Sequence, residues 1–187
     1  MSIHALWYHI PMAETDGLPE TFSITFSRPD SRTYRLSASQ VLPVAQAKAS
    51  SFFEDPRNLS EITPDWLDFR MLDRSKAEVF EGAEFDYTIR WLSLRLFWRS
   101  RIVGYQPPES FTDVQVKGPY PYWSHLHTFA EQDGSTLMKD EVIYRLSFGP
   151  FGRLLHQLII RQQLRNIFRY RAVRIAQWAA GDFKKKV

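Results

Sequence analysis

From Glu84 to Leu94 the side chains alternate without a break. Phe85, Tyr87, Ile89 and Trp91 fall on one side, and Glu84, Asp86, Thr88 and Arg90 on the other. A period of two is the signature of a strand with one wet face and one covered face. The same pattern recurs from Leu96 to Tyr105, where Trp98, Ser100 and Ile102 oppose Arg99, Arg101 and Val103. Further strands are predicted at Thr33 to Leu42, Trp66 to Leu72, Ser110 to Lys117, Tyr122 to Ala130 and Thr136 to Phe148. Short turns separate most of them: Gln106-Pro-Pro-Glu109, Gly118-Pro-Tyr-Pro121 and Gln132-Asp-Gly-Ser135. Strands joined so tightly form an antiparallel meander.

Such a sheet needs a cover for its apolar face. The cover available is at the C-terminus, where Leu154 to Ala180 reads as one helix ended by Gly181. At 1.5 Å per residue it would be about 40 Å long. Ile160, Leu164, Ile167, Phe168 and Ile175 make its apolar stripe, and Arg161, Arg165 and Arg169 a row on its outer side. Two shorter helices are predicted after the strand at Thr33: Pro43 to Phe53, and one opening at Asp55-Pro56 and running to Ile62, before Thr63-Pro64. Residues 1–32 read as an extension with one edge strand around Phe22, Ile24 and Phe26; residues 33–181 as the domain; residues 182–187 as a frayed basic tail. The expected class is α+β: a curved antiparallel sheet of about seven strands around a long helix.

Composition narrows the function. Without cysteine there is neither disulfide framework nor thiol chemistry. No stretch is apolar for long enough to span a bilayer. The opening MSIHALWYHIP has no secretory pattern, so a cytoplasmic protein is expected. No GxSxG, P-loop, dinucleotide fingerprint or HExxH is present, and no nucleotide cofactor is expected. Charge is uneven: Gly149 to Val187 holds nine Lys or Arg and one acid. Two readings stand: a solvated outer face of the helix, or weak membrane-surface contact through Arg161, Arg165 and Arg169. The basic residues are not interleaved with exposed aromatics, so nucleic acid is not an expected partner. Oligomeric state is not legible.

Alternation also selects the inward residues. Lys139, Glu141 and Arg145 take water, which turns Met138, Asp140, Val142 and Tyr144 inward. Bulk turns Trp123, His125, His127 and Phe129 inward. For the strand at 110–117 the choice lies between Phe111, Asp113, Gln115 and Thr112, Val114, Val116; polar neighbours favour the first. The predicted cavity lining is therefore Tyr87, Ile89, Trp91, Trp98, Ile102, Asp113, Gln115, Trp123, His125, His127, Met138, Asp140 and Tyr144, with Leu164 and Phe168 from the helix. Buried polar groups must be paired or wet. They either close a structural network or meet the polar end of a ligand in a mostly apolar pocket. His125, His127 and Asp140 are the candidate acid–base residues should chemistry occur. Two histidines at i, i+2 with an aspartate nearby can hold zinc, but the spacing is common, and no metal is expected from it.

Three passages carry a family likeness: FFEDPRNLSEITP followed by Leu67-Asp-Phe69; IVGYQPPESFTDVQVKGPYPYWSHLHTF; and MKDEVIY leading into GPFGRLL. Together they make residues 33–180 resemble a bacterial branch of the helix-grip superfamily, which includes START domains, the birch-pollen allergen fold and polyketide cyclase/dehydrase-like proteins. The resemblance implies a deep cavity between sheet and C-terminal helix for lipids, quinones, polyketides or hormones. A coenzyme Q-binding subgroup is a plausible cousin. The superfamily has no universal catalytic residues to transfer. Three functions follow: binding or carriage of a hydrophobic small molecule; cyclase or dehydratase chemistry through His and Asp; and a membrane-associated quinone or lipid chaperone.

Overall fold

The computed structural model describes residues 17–73, 75, 78–91, 94–147, 152 and 154–186. Eight strands form one antiparallel sheet: β1 (Ser23–Ser27), β2 (Thr33–Leu42), β3 (Arg70–Met71), β4 (Glu84–Trp91), β5 (Leu94–Gln106), β6 (Ser110–Lys117), β7 (Tyr122–Gln132) and β8 (Ser135–Arg145). Their spatial order is β1-β2-β8-β7-β6-β5-β4-β3. The meander from β4 to β8 is unbroken, and β2 closes on β8, so the two ends of the chain's sheet meet there. Asp133 and Gly134, at φ 49° and 75°, make the two-residue turn between β7 and β8. That left-handed pair matches the twist of a hairpin.

Two helices follow β2: α1 (Gln46–Phe53) and α2 (Asn58–Glu61). Each is shorter than its sequence pattern suggests. Asp55 spends its carboxylate on the backbone N–H and guanidinium of Arg57, forming a turn rather than a cap. The strand predicted from Trp66 to Leu72 is mostly something else. Asp65–Leu67 is a 3₁₀ turn, Asp68 sits at φ 42°, and only Arg70 and Met71 pair with β4. Trp66 and Phe69 have strand-forming bulk, but Pro64 starts a turn that Asp68 closes.

The terminal helix α3 (Arg161–Ala180) is preceded by a π-helical turn at His156–Ile160. Gly181, at φ 84°, ends it. Gly149, Pro150 and Phe151, which open the GPFGRLL passage, lie outside the described residues. Inward residues of the sheet and the apolar face of α3 form two core clusters. One holds Leu42, Phe52, Phe53, Phe129, Met138 and Ile175. The other holds Tyr34, Leu36, Val142, Tyr144, Leu164 and Phe168. Outer-face charges pair across strands, as in Arg99–Asp86 at 2.6 Å.

The carboxyl-terminal segment is docked, not frayed. The Lys186 backbone N–H donates to Glu61 at 2.8 Å, its ammonium reaches the Thr63 carbonyl and lies 2.6 Å from Asp65, and Arg174 donates to the Lys184 carbonyl at 2.7 Å. Phe183 packs edge-on to Phe52, with the Arg174 guanidinium 4.4 Å from its ring centroid.

Candidate functional site

Two hollows lie on the inner face of β4–β7, the larger against α3 and the smaller beneath the α1–α2 segment. The larger, about 160 Å³, is bordered by Tyr87, Ile89, Trp91, Trp98, Trp123 and His125 on the sheet, and by Leu164, Ile167 and Phe168 on the helix. The smaller, about 80 Å³, is bordered by Phe53, Phe85, Ile102, Phe111 and His127. Leu59, Ile62, Phe69, Tyr87, Asp113 and Arg171 border both. The α1–α2 segment and the turn after it therefore roof the space that sheet and helix leave open.

Cross-strand register builds the polar group at their junction. Asp113 of β6 lies opposite His125 of β7, and His127 opposite Asp140 of β8. Residues two apart share a face, so all four side chains point the same way. Asp140 Oδ1 sits 2.8 Å from His125 Nε2 and 2.9 Å from His127 Nδ1. The second contact lies off the axis of a hydrogen bond, leaving His127 Nδ1 with a charge contact only. Asp113 Oδ2 faces the opposite ring atoms, 3.6 Å from His125 Nδ1 and 3.7 Å from His127 Nε2. The rings lie 3.9 Å apart between centroids.

Burial dominates the electrostatics. It pulls the His125 pKa down to about 4, and His127 adds to that, so His125 is neutral near pH 7. Burial also opposes a charge on His127, but Asp113 and Asp140 outweigh it and raise its pKa. Burial opposes ionisation of Asp140, yet Arg171 and both histidines hold it well below the usual carboxylate range. Asp113 is lowered in the same way, chiefly by His127. Its side chain keeps 22% of its surface open because it faces the hollow. Above Asp113, Ser100 Oγ stands 3.4 Å away and accepts from Trp98 Nε1 at 3.2 Å; Tyr87 Oη is 3.0 Å from Ser100.

Of the predicted lining, Tyr87, Ile89, Trp91, Trp98, Asp113, Trp123, His125, Leu164 and Phe168 border the larger hollow, and Ile102 and His127 the smaller. Four do not border either. Met138 and Asp140 face a separate cleft beside Ala38 and Ala172, because β8 lies directly under the helix. Gln115 turns its amide to the Tyr120 carbonyl at 2.5 Å. Tyr144 is fully buried, with its hydroxyl 2.7 Å from His156 Nε2. Sequence reasoning missed Arg171, whose guanidinium is buried at the junction 4.0 Å from Asp140. The signal was there: Leu164, Phe168, Arg171 and Ile175 share one helix face. Of the arginine row, Arg161 and Arg165 lie 5.3 and 5.4 Å from the Phe26 ring centroid of β1. Among the described residues no helix is long and apolar enough to cross a membrane.

A model of the family described as "Polyketide cyclase / dehydrase and lipid transport" matches residues 42–168. No curated protein matches. Solved structures do. The Thermus thermophilus protein TTHA0849 aligns with a TM-score of 0.59 at 12% identity, over 75% of this chain and 96% of that one. Ara h 8.0201 aligns at 0.54 and 14%, over 80% and 99%. The di-domain ARO/CYC StfQ of the steffimycin biosynthetic pathway aligns at 0.58 and 13%, over 81% of this chain and 53% of StfQ. At these identities the likeness is one of fold, the helix-grip arrangement expected from the sequence.

Proposed function

The chain belongs to the polyketide cyclase/dehydrase and lipid transport family, and on that premise we propose that it holds a mostly apolar small molecule between sheet and helix. One observation carries the reading. Ile89, Trp91 and Trp123 point toward α3 yet remain only half-buried, because the helix does not fill the space above them. Apolar walls with a few convergent polar groups suit a ligand with an apolar body and a polar end. The polar end would meet Asp113 and Arg171, where the two hollows join.

Denaturing the purified protein and analysing what it releases by mass spectrometry tests occupancy directly. A fluorescent apolar probe, 8-anilinonaphthalene-1-sulfonate, gives a second measure. Ile89→Phe should weaken probe binding while the melting temperature stays near wild type. Equal binding by both proteins would place the probe elsewhere and reject the reading.

A second reading, acid–base turnover of a cyclase or dehydratase kind, is favoured by Asp113, His125 and His127 bordering the same space. Under it, His127→Gln abolishes conversion of a supplied polyketide-like substrate but leaves probe binding intact. Conversion that survives this change would remove His127 from the chemistry, and no conversion by the unmutated protein would leave binding as the whole function.

A further inference from the structure

We propose that Asp113 Oδ2, His125 Nδ1 and His127 Nε2 form a site for one divalent transition-metal ion, with Asp140 as the carboxylate that orients both imidazoles. The i, i+2 spacing gave no reason to expect this; the side-chain geometry does. One donor atom from each of Asp113, His125 and His127 lies within 4.8 Å of the other two. The carboxylate oxygen is 3.6 and 3.7 Å from the two ring nitrogens. Tetrahedral zinc, with bonds near 2.1 Å, places its ligand atoms about 3.4 Å apart. The two carboxylate–nitrogen distances lie within a few tenths of an ångström of that value, and rotation of the two imidazoles brings in the third side of a triangle no wider than 4.8 Å.

The opposite ring nitrogens supply the independent support. His125 Nε2 and His127 Nδ1 both face Asp140 Oδ1, at 2.8 and 2.9 Å. A carboxylate behind each metal-binding imidazole fixes its tautomer and aims its free lone pair at the ion. Here Asp140 hydrogen-bonds His125 and lies in charge contact with His127, and the far nitrogen of each ring faces Asp113. His127 Nδ1 is buried with no aligned partner. A small ring rotation that brings Nε2 onto a metal is open to His127 without breaking a hydrogen bond at Nδ1.

Charge points the same way. Two carboxylates, Asp113 and Asp140, converge on the imidazole pair with the one guanidinium of Arg171 nearby. Arg171 approaches on the Asp140 side, at 4.0 Å, and has no lone pair to offer. Two nitrogens and one carboxylate oxygen are the donor set of zinc and ferrous sites that keep positions open. Those positions face the hollow, since Asp113 and His125 border its larger part and Asp113 and His127 its smaller part. The site does not depend on what else the cavity holds.

The test uses the full chain, stripped with chelator and equilibrated with zinc alone, then assayed for retained metal. One zinc per chain is expected, with affinity down about tenfold or more in Asp113→Asn and about 10–100-fold in Asp140→Asn. The double variant His4→Ala/His9→Ala should bind like wild type. Cobalt on the unmutated protein should give visible d–d absorption, a readout that does not require any variant to fold. Lack of both zinc retention and cobalt absorption overturns the proposal and leaves a protonated structural network. Zinc held equally well by wild type, Asp113→Asn and His125→Gln overturns it too, because the metal then lies elsewhere. Probe binding by the metal-free protein separates this outcome from failure of the ligand-holding reading.

Discussion

The two halves of the sheet obey one alternation rule and end in opposite states. In the half made by β2 and β8, inward residues meet the helix directly. Leu36, Val142 and Tyr144 have no exposed surface. In the far half, Tyr87, Ile89 and Trp91 of β4 face the same way and remain partly open, beside the buried Phe85 and the buried Trp98 and Ile102 of β5. The difference is where α3 lies. Its apolar side covers β2 and β8, with Gln40 of β2 reaching the Ala172 carbonyl at 3.5 Å. The far half is roofed instead by α1, α2 and the turn after them. Strand pattern decides which side chains face in, while the position of the cover decides how completely they are buried.

Mutations can break this contrast. Leu36→Ala, in the closed half, should cost about 2–5 kcal/mol in urea unfolding, the usual range for a leucine replaced in a packed core. Ile89→Ala, in the open half, should cost under about 1 kcal/mol, because the space beside it already exists. Equal losses would erase the distinction between the halves.

Acid should act on the closed half through His156, in the same window as His125 at the hollow. His156 is stacked 3.8 Å from Tyr34 and bonded to Tyr144. Burial, with help from Arg161 and Arg28, lowers its pKa to about 4 from an ordinary 6.5. The unfolded chain therefore binds a proton that the folded chain refuses. Stability is full above pH 6.5 and falls as pH drops toward 4. The melting temperature should track that window, and His156→Gln should flatten part of the decline. An unchanged profile in the variant would assign the acid sensitivity elsewhere.

Tyr144→Phe sharpens the same contrast. It leaves buried His156 Nε2 without its partner and should cost about 1–3 kcal/mol. A modest effect belongs to the sheet edge. Phe26→Ala removes the ring under Arg161 and Arg165 and should cost about 0.5–1 kcal/mol for each of the two cation–ring pairs. A larger effect would mean that β1 is part of the closed half rather than a trim on it.

The sheet was legible because period-two alternation states a strand's two faces directly; Phe85 to Trp91 and Met138 to Tyr144 needed nothing more. The stretch from Trp66 to Leu72 was not, because its bulky residues imitate a strand while Asp68 adopts a left-handed turn. The inward histidines and aspartates were legible by the same alternation. Their bonding was not, since it depends on register: Asp113 opposite His125, and His127 opposite Asp140. Arg171 was hidden among arginines that belong outside. Its place follows from the phase of the helix, which the π-helical turn at His156–Ile160 shifts upstream.

The docked carboxyl-terminal segment has a practical consequence. Lys186 and Arg174 tie the last residues to Glu61, Thr63 and Asp65, and the neighbouring Leu59 and Ile62 line the hollow. An affinity tag fused at that end would hang from the cavity's lid, tugging on the fastening that joins lid to helix.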